Sequence, residues 1–200
     1  MVLLDINKDN LNGVCQKINE DCNVKHKAIA FPCDITNLEQ MKQVCDNIRS
    51  EVGHPTILIN NAGILAGKYL PDISYPEFVK TFEVNTFSNF VLVKELLPNM
   101  MENDRGHIVS VSSILGVKGL AGVSEYAASK AAVTSFMSSL RYEISVAGII
   151  FIIYLFLFPF FELSLHSNFL FIRAFSSFEL SLIQTFSILN FLLYANLLLI

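Results

Sequence analysis

The sequence has 200 residues, enough for one domain with a hydrophobic core, and a net charge of -4 at pH 7. That charge argues against a nucleic-acid partner, which a basic surface would attract. Apolar residues make up 52% of the chain, but 11 of its 17 Phe lie within residues 148–200. The composition therefore predicts a globular domain over residues 1–147 and a hydrophobic tail over residues 148–200.

Four apolar runs rich in β-branched residues predict strands that are buried on both faces. In chain order they are MVLL (1–4), KHKAIAFPCD (25–34), PTILINNAG (55–63) and GHIVSVSS (106–113). The segments between them have helical periodicity. Strands that alternate with helices at this spacing predict βαβ units and a doubly wound, Rossmann-like parallel sheet.

Helices are predicted over residues 9–20, 37–52 and 75–101, and from Ser124 onward. Asn37 and Ser74 are the predicted N-caps of the second and third helix, and Pro76 fits the first turn of the third. Ligands of such sheets bind beyond the carboxyl ends of the strands, so the residues at those ends are the candidates for a site.

The cysteines show no CxxC or metal-type spacing, and no metal site is predicted. They are Cys15, Cys22, Cys33 and Cys45, all in the first quarter of the chain. We interpret them as reduced thiols that pack in the interior of an intracellular protein.

Two aspartates follow predicted strands, and each has two interpretations. Asp5 could accept hydrogen bonds from both hydroxyls of an adenosine ribose and repel a 2′-phosphate, which favours NAD over NADP, or it could form an Asx turn. Asp34 could accept from an adenine amino group or cap the helix that begins near Asn37. In the NNAG motif, small residues let a flat ligand approach the backbone while Asn60 ties neighbouring loops; a simple turn is the alternative.

Tyr126 and Lys130 are spaced i, i+4, which places both side chains on one helix face. The ordinary pKa of a tyrosine is about 10, and a nearby ammonium stabilises its phenolate, so the pair could serve as a general acid and base. The spacing alone is a weak signal. Ser113 could hold a substrate oxygen beside the phenol, and Asn85 could hold a water that links the lysine to solvent or could simply be exposed.

The motifs TILINNAG, EVNTF, GHIVSVSS and YAASK, in this order and spacing, resemble those of the short-chain dehydrogenase/reductase family. The longer run LLPNMMENDRGHIVSVSSILGVKGLAGVSEYAASKAAV resembles the membrane-associated branch that holds retinol dehydrogenases and 17-beta-hydroxysteroid dehydrogenases of the endoplasmic reticulum and lipid droplets. The resemblance covers about residues 1–147. It implies NAD-dependent hydride transfer between an alcohol and the ketone or aldehyde of a lipid-like substrate, a retinoid or a steroid.

The resemblance also implies a role for each motif residue. Tyr126 would be the proton donor and acceptor, Lys130 would lower its pKa and hold the nicotinamide ribose, Ser113 would position the reacting oxygen, and Asn85 would complete a proton relay. The implied cofactor-binding residues are Asp5, Asp34, Asn60, Ala62, Gly63, Tyr126 and Lys130. The resemblance further implies a location at the endoplasmic reticulum membrane or lipid droplet. We also expect a homodimer through the long helices.

Two family features are not found in the sequence. A dinucleotide fold places its glycine-rich loop about 20 residues before the acidic ribose ligand, whereas four residues precede Asp5. The expected sheet is therefore partial and lacks its first strand, and the strands beside the gap would need new partners. In the family, a Pro-Gly-type loop that clamps the nicotinamide follows the helix with the catalytic tyrosine and lysine. No such loop follows the helix that begins at Ser124. We expect little activity from this chain, and the alternative is an inactive membrane-associated fragment that binds full-length relatives.

The apolar tail has two interpretations. Residues 144–161 and 180–200 are uncharged stretches long enough to be considered as transmembrane helices. The bias towards Phe, Leu, Ile, Ser, Asn and Tyr instead favours translated AT-rich noncoding sequence.

Overall fold

The computed structural model describes residues 1–21, 27–144, 149–156 and 198–199, the last two stretches by their backbone alone. The strands are β1 (Val2–Asp5), β2 (Ile29–Pro32), β3 (Ile57–Asn60), β4 (Gly106–Ser113), β5 (Ile149–Phe156) and β6 (Leu198–Leu199). The α-helices are α1 (Lys8–Glu20), α2 (Leu38–Glu51), α3 (Tyr75–Phe82), α4 (Ser88–Glu102) and α5 (Ser124–Glu143). Shorter helical turns cover Leu70–Asp72 and Ile114–Gly116, and a π-helical segment covers Glu83–Phe87.

The described strands form one sheet in the order β2-β1-β6-β3-β4-β5. β1 and β2, β3 and β4, and β4 and β5 pair in parallel, which confirms the predicted α/β fold. The gap predicted between β1 and β3 is occupied by β6, which pairs antiparallel with both neighbours. The physical reason is that buried backbone groups on both sides of the gap need hydrogen-bond partners.

β5 pairs with β4 along its whole length and so adds eight residues to the sheet within the stretch that the sequence assigned to the tail. The division of the chain at residue 147 stays a prediction. Within residues 144–161, which are long enough to be considered as a transmembrane helix, residues 149–156 are therefore a strand. The rest of that segment beyond Ile144 and nearly all of segment 180–200 lie outside the described residues. Among the described helices, none combines the length and apolarity needed to cross a membrane.

The predicted caps are confirmed: Asn37 accepts from the N–H of Gln40, and Ser74 forms a capping box with Glu77. The single long helix predicted over residues 75–101 is interrupted by the π-helical segment. The cause lies in tertiary hydrogen bonds made by Asn85 and Thr86, which hold this turn against other elements. A π-helical turn of this kind often marks a functional site.

The core lies between the sheet and the helices. Its fully buried members include Leu4, Ile48, Leu58, Leu92, Ile108 and Met137.

Cys15, Cys33 and Cys45 are buried free thiols, and Cys22 lies outside the described residues. Burial raises the pKa of Cys33 to about 12 and that of Cys45 to about 11, which suits packing rather than reactivity.

Candidate active site

The four predicted catalytic residues lie at one end of the sheet. Ser113 ends β4, Asn85 lies in the π-helical segment, and Tyr126 and Lys130 belong to the first two turns of α5. Each of these side chains is at most 5% exposed. The hydroxyl of Ser112, the neighbour of Ser113, donates to the carbonyl oxygen of Lys130 at 2.9 Å and fixes β4 against α5.

Lys130 is buried beside the phenol ring that precedes it by one helical turn. Its Nζ lies 5.8 Å from the centre of the Tyr126 ring and donates a 2.7 Å hydrogen bond to the carbonyl oxygen of Val111 in β4. Desolvation of the ammonium lowers the pKa of Lys130 to about 8. The lysine is thus held at a fixed point behind the phenol.

The phenol of Tyr126 is also affected by burial. Desolvation raises its pKa, and a hydrogen bond with the side chain of Ser113 opposes that rise without cancelling it. The Ser113 hydroxyl also accepts from the N–H of Leu115, which orients it at the start of the turn that follows β4. The effect of Lys130 on the Tyr126 pKa that the family resemblance implies stays a prediction.

Asn85 is fully buried, so it is not the exposed helical residue that was one of its two interpretations. Its side chain makes hydrogen bonds with both backbone groups of Ile64: Oδ1 accepts from the N–H at 2.8 Å, and Nδ2 donates to the carbonyl oxygen at 2.9 Å. Nδ2 also donates to the hydroxyl of Ser129, which in turn donates to the carbonyl oxygen of Tyr126. The amide therefore joins three elements of the site.

The segment of residues 63–66 passes directly over these side chains. A Cβ built on Gly63 would lie 3.3 Å from Lys130 Nζ and 3.5 Å from Asn85 Oδ1. Glycine therefore allows the backbone to approach the ammonium more closely than another residue would. At the other end of the segment, the N–H of Ala66 donates at 2.9 Å to Oε1 of Glu125, a fully buried carboxylate.

A chain of buried polar side chains lies behind the site. Asn60 Nδ2 donates to the hydroxyl of Ser110 at 3.4 Å, and that hydroxyl donates to Oδ1 of Asn89 at 3.0 Å. Asn89 Nδ2 then donates to the carbonyl oxygen of Asn85 at 2.9 Å. Asn60 thus ties β3 to β4, two strands rather than the neighbouring loops that the sequence predicted, while Ala62 is partly buried against the core.

The two aspartates form local turns. Asp5 Oδ1 accepts from the N–H of Asn7, and burial raises its pKa more than this bond lowers it. Asp34 Oδ1 accepts from the N–H and the hydroxyl of Thr36; burial raises its pKa, but these bonds and the nearby Lys80 give a net lowering. Asp5 therefore forms the Asx turn that was one of its two interpretations, whereas Asp34 also forms a turn and the helix is capped by Asn37 instead. The cofactor roles stay predictions, because Asp5 and Asp34 still lie at the ends of strands.

Two residues near the site were not predicted. Glu125 gives no signal in the sequence, because a carboxylate is buried so rarely that its position next to Tyr126 suggests an exposed residue. Gly116 packs directly on α5: a Cβ built there would lie 2.8 Å from the backbone nitrogen of Ala131 and 2.9 Å from the carbonyl carbon of Lys130. A glycine three residues after a strand could have been recognised as a site of close approach.

Within the part of the chain that the structure describes, no group of three or more His, Cys, Asp or Glu residues could hold a metal ion. The side chains gathered at the site offer a phenol for proton transfer and an ammonium, a hydroxyl and an amide for binding.

Sequence similarity relates this chain to known proteins. The model of the short chain dehydrogenase family matches residues 1–155. The chain is 37% identical to bovine short-chain dehydrogenase/reductase family 16C member 6 over 146 residues, 73% of this chain and 46% of that protein. It is 38% identical to human epidermal retinol dehydrogenase 2 over 143 residues, 72% of this chain and 46% of that protein. It is also 37% identical to human 17-beta-hydroxysteroid dehydrogenase 13 over 148 residues, 74% of this chain and 48% of that protein.

The fold is shared with solved structures. A short chain dehydrogenase/reductase from Burkholderia phymatum, solved in complex with NAD, superposes with a TM-score of 0.71 at 24% identity, covering 76% of this chain and 54% of that one. The chain spans about half the length of the curated relatives it matches.

Proposed function

The chain belongs to the short-chain dehydrogenase family, and on this premise we propose that it transfers a hydride between a nicotinamide cofactor and an alcohol or carbonyl group of a lipid-like substrate. The observation that carries the proposal is the burial of Asn85, Ser113, Tyr126 and Lys130 together at the carboxyl end of β4. The nicotinamide, when bound, would accept or donate the hydride. The residues of this chain would bind, orient and move the proton.

In the proposed oxidation, the carbinol carbon loses a hydride and the hydroxyl oxygen loses a proton, which Tyr126 Oη accepts as a phenolate. Ser113 would hold the substrate oxygen, since its hydroxyl already shares a hydrogen bond with the phenol. Lys130 would favour the phenolate by its charge and bind the nicotinamide ribose. Asn85 would fix the 63–66 segment and relay the proton towards solvent.

For the cofactor, we propose NAD rather than NADP. Support comes from Asp5 at the end of β1, where a carboxylate would bind ribose hydroxyls and repel a 2′-phosphate. The bare backbone of Gly63 beside Lys130 fits the close approach of a flat ligand. Asp34, Asn60 and Ala62 would complete the cofactor-binding set. Replacing Asp5 by Asn should weaken the preference for NADH over NADPH about tenfold in a fluorescence titration, equivalent to about 1.4 kcal/mol.

For the substrate, we propose a small lipophilic alcohol or carbonyl compound, either a retinoid or a steroid. The support is the match to one relative named as a retinol dehydrogenase and to another named as a hydroxysteroid dehydrogenase. We also propose that turnover by this 200-residue chain alone is weak, because the phenol is 5% exposed and burial raises its pKa.

The test combines binding and turnover. Purified chain would be titrated with NADH by fluorescence and assayed for NAD reduction with all-trans-retinol and with estradiol. Slow turnover that is abolished in Tyr126→Phe, with NADH binding retained, supports the proposal. Turnover that survives Tyr126→Phe contradicts it, and a chain that binds no nucleotide favours the inactive membrane-associated fragment instead.

We propose association with the endoplasmic reticulum membrane or lipid droplets, supported by the resemblance to the membrane-associated branch. Carbonate washing of membranes from cells that express the chain tests whether it is integrally anchored. Retention in the pellet is the expected outcome for an integral anchor, and a chain released into the wash is not integrally anchored.

A further inference from the structure

The 63–66 segment is fixed at two points by side chains from different helical elements. Asn85, from the π-helical segment, makes hydrogen bonds with both backbone groups of Ile64. Glu125, from the first turn of α5, accepts the N–H of Ala66. Two attachments that are two residues apart define the path of the backbone between them. Either attachment alone would fix the backbone at a single point only.

The carboxylate of Glu125 is an unusual choice for this position. The side chain is fully buried, and its second oxygen, Oε2, has no hydrogen-bond partner among the described residues. Burying a carboxylate without satisfying it costs free energy, and an apolar side chain of similar size would avoid that cost. A carboxylate also suits the first turn of a helix through the helix dipole, but an exposed one would do so without desolvation. Stability therefore does not explain this buried acid.

The position of the 63–66 segment explains it better. The backbone of Gly63 lies against Lys130 Nζ, so any movement of the segment changes the surroundings of the ammonium. We propose that Glu125 is a positioning residue that holds the 63–66 segment over Lys130 and thereby keeps the lysine buried in its working place. The consequence for catalysis rests on the proposed function, whereas the contact itself does not.

The environment of Lys130 makes this inference measurable. Its ammonium faces the Tyr126 ring on its own helix and the Val111 carbonyl of β4, and a Cβ built on Gly63 would lie within 3.5 Å of both Nζ and the amide oxygen of Asn85. No carboxylate within the described part of the chain forms an ion pair with it. Burial is the cause of its low pKa, so release of the segment should admit water and raise the pKa towards its ordinary value.

The experiment compares Glu125→Leu, which is similar in size but cannot accept a hydrogen bond, with Glu125→Gln, which keeps an acceptor oxygen. Glu143→Leu, an exposed glutamate at the other end of α5, is the matched control. Amide hydrogen exchange of Ala66 and the NMR titration of the Lys130 side chain, assigned with Lys130→Arg, are the readouts. Glu125→Leu should speed exchange at Ala66 at least tenfold and raise the Lys130 midpoint, while Glu125→Gln and Glu143→Leu should match the unmodified chain.

Unchanged exchange and titration in Glu125→Leu would overturn the inference. So would an Ala66 amide that exchanges at an unprotected rate in the unmodified chain, a measurement that needs no variant to fold. If Glu125→Leu does not fold, equal protection and an equal Lys130 midpoint in Glu125→Gln and the unmodified chain support the role, and loss of either in Glu125→Gln refutes it. Neither readout needs turnover, so a chain that shows this contact but no NAD-dependent activity refutes the proposed function and not the positioning role.

Discussion

Lys130 Nζ donates a 2.7 Å hydrogen bond to the carbonyl oxygen of Val111, so the ammonium of α5 is bound to the backbone of the strand that carries Ser113. The bond fixes the lysine in an environment that disfavours its charge. Its pKa is about 8 in the folded chain, whereas the ordinary pKa of a lysine is 10.5, a difference of about 2.5. This difference makes the stability of the fold depend on pH.

The first prediction concerns that dependence. The unfolded chain binds the lysine proton up to a higher pH than the folded chain, so the lysine should make the fold more stable as pH rises from about 8 to 10.5. At about 1.4 kcal/mol per pH unit, the full effect is on the order of 3 kcal/mol. Replacing Lys130 by Met should remove this rise and increase the free energy of unfolding at pH 7.

Urea unfolding at several pH values measures the effect, with Lys42→Met, at an exposed position of α2, as control. Cys33 and Cys45 oppose the trend, because their raised pKa values make stability fall above pH 9. The difference between the unmodified chain and Lys130→Met therefore isolates the lysine. A difference that does not change between pH 8 and 10 would contradict the prediction.

The second prediction concerns Gly116, whose backbone packs on the backbone of α5. A Cβ there would lie 2.8 Å from a backbone nitrogen that cannot move aside easily, so Gly116→Ala should lower the free energy of unfolding by about 3 kcal/mol. Gly119, three residues on, has no atom within 4 Å of an added Cβ. Gly119→Ala should change stability by less than about 0.5 kcal/mol. Equal losses in the two variants, measured by urea unfolding, would show that Gly116 is not a contact point.

The third prediction concerns Asn89, whose amide donates to the carbonyl oxygen of Asn85 in the buried chain behind the site. Asn89→Asp replaces that donor by an oxygen and leaves two acceptors facing each other, which should cost about 2–4 kcal/mol in the free energy of unfolding. Asn103 makes the same i to i−4 amide bond, to Asn99, at an exposed position. Asn103→Asp should cost less than about 1 kcal/mol, and an equally large loss there would show that burial is not the cause.

The fourth prediction concerns the expected homodimer through the long helices. Phe87 and Phe90 are 53% and 43% exposed, and exposed aromatic side chains that lie together mark surfaces for association. Phe87→Glu should shift the sedimentation coefficient from that of a dimer to that of a monomer. Leu38→Glu, at an exposed position at the start of α2, should leave the dimer intact. A monomeric unmodified chain would refute the dimer.

Local patterns in the sequence account for much of the fold. The apolar runs, which alternate with helical segments, located β1 to β4. The side-chain chemistry of Asn37 and Ser74 located two helix starts. The family resemblance implied that Ser113 and Tyr126 act on the same substrate oxygen, and in the structure their side chains share a hydrogen bond.

What the sequence could not show depends on tertiary contacts. The π-helical segment arises where Asn85 and Thr86 make hydrogen bonds outside their own helix, and a helical periodicity carries no trace of those partners. β6 pairs with β1 across nearly the whole chain, and two leucines in an apolar stretch do not indicate a neighbour so distant. The burial of Glu125 likewise depends on residues 63–66, which the helix pattern does not contain.

The side chain of Asn85 behaves towards Ile64 as a peptide group of an adjacent strand would, since it offers one acceptor and one donor at nearly equal distances. The loop after β3 thereby gains a pair of hydrogen bonds like those between neighbouring strands, although no strand lies beside it. An aspartate could match only the N–H of Ile64, and a leucine neither group. The amide therefore substitutes for a backbone peptide group. The position requires a side chain of this length that both accepts and donates a hydrogen bond, and asparagine meets both requirements.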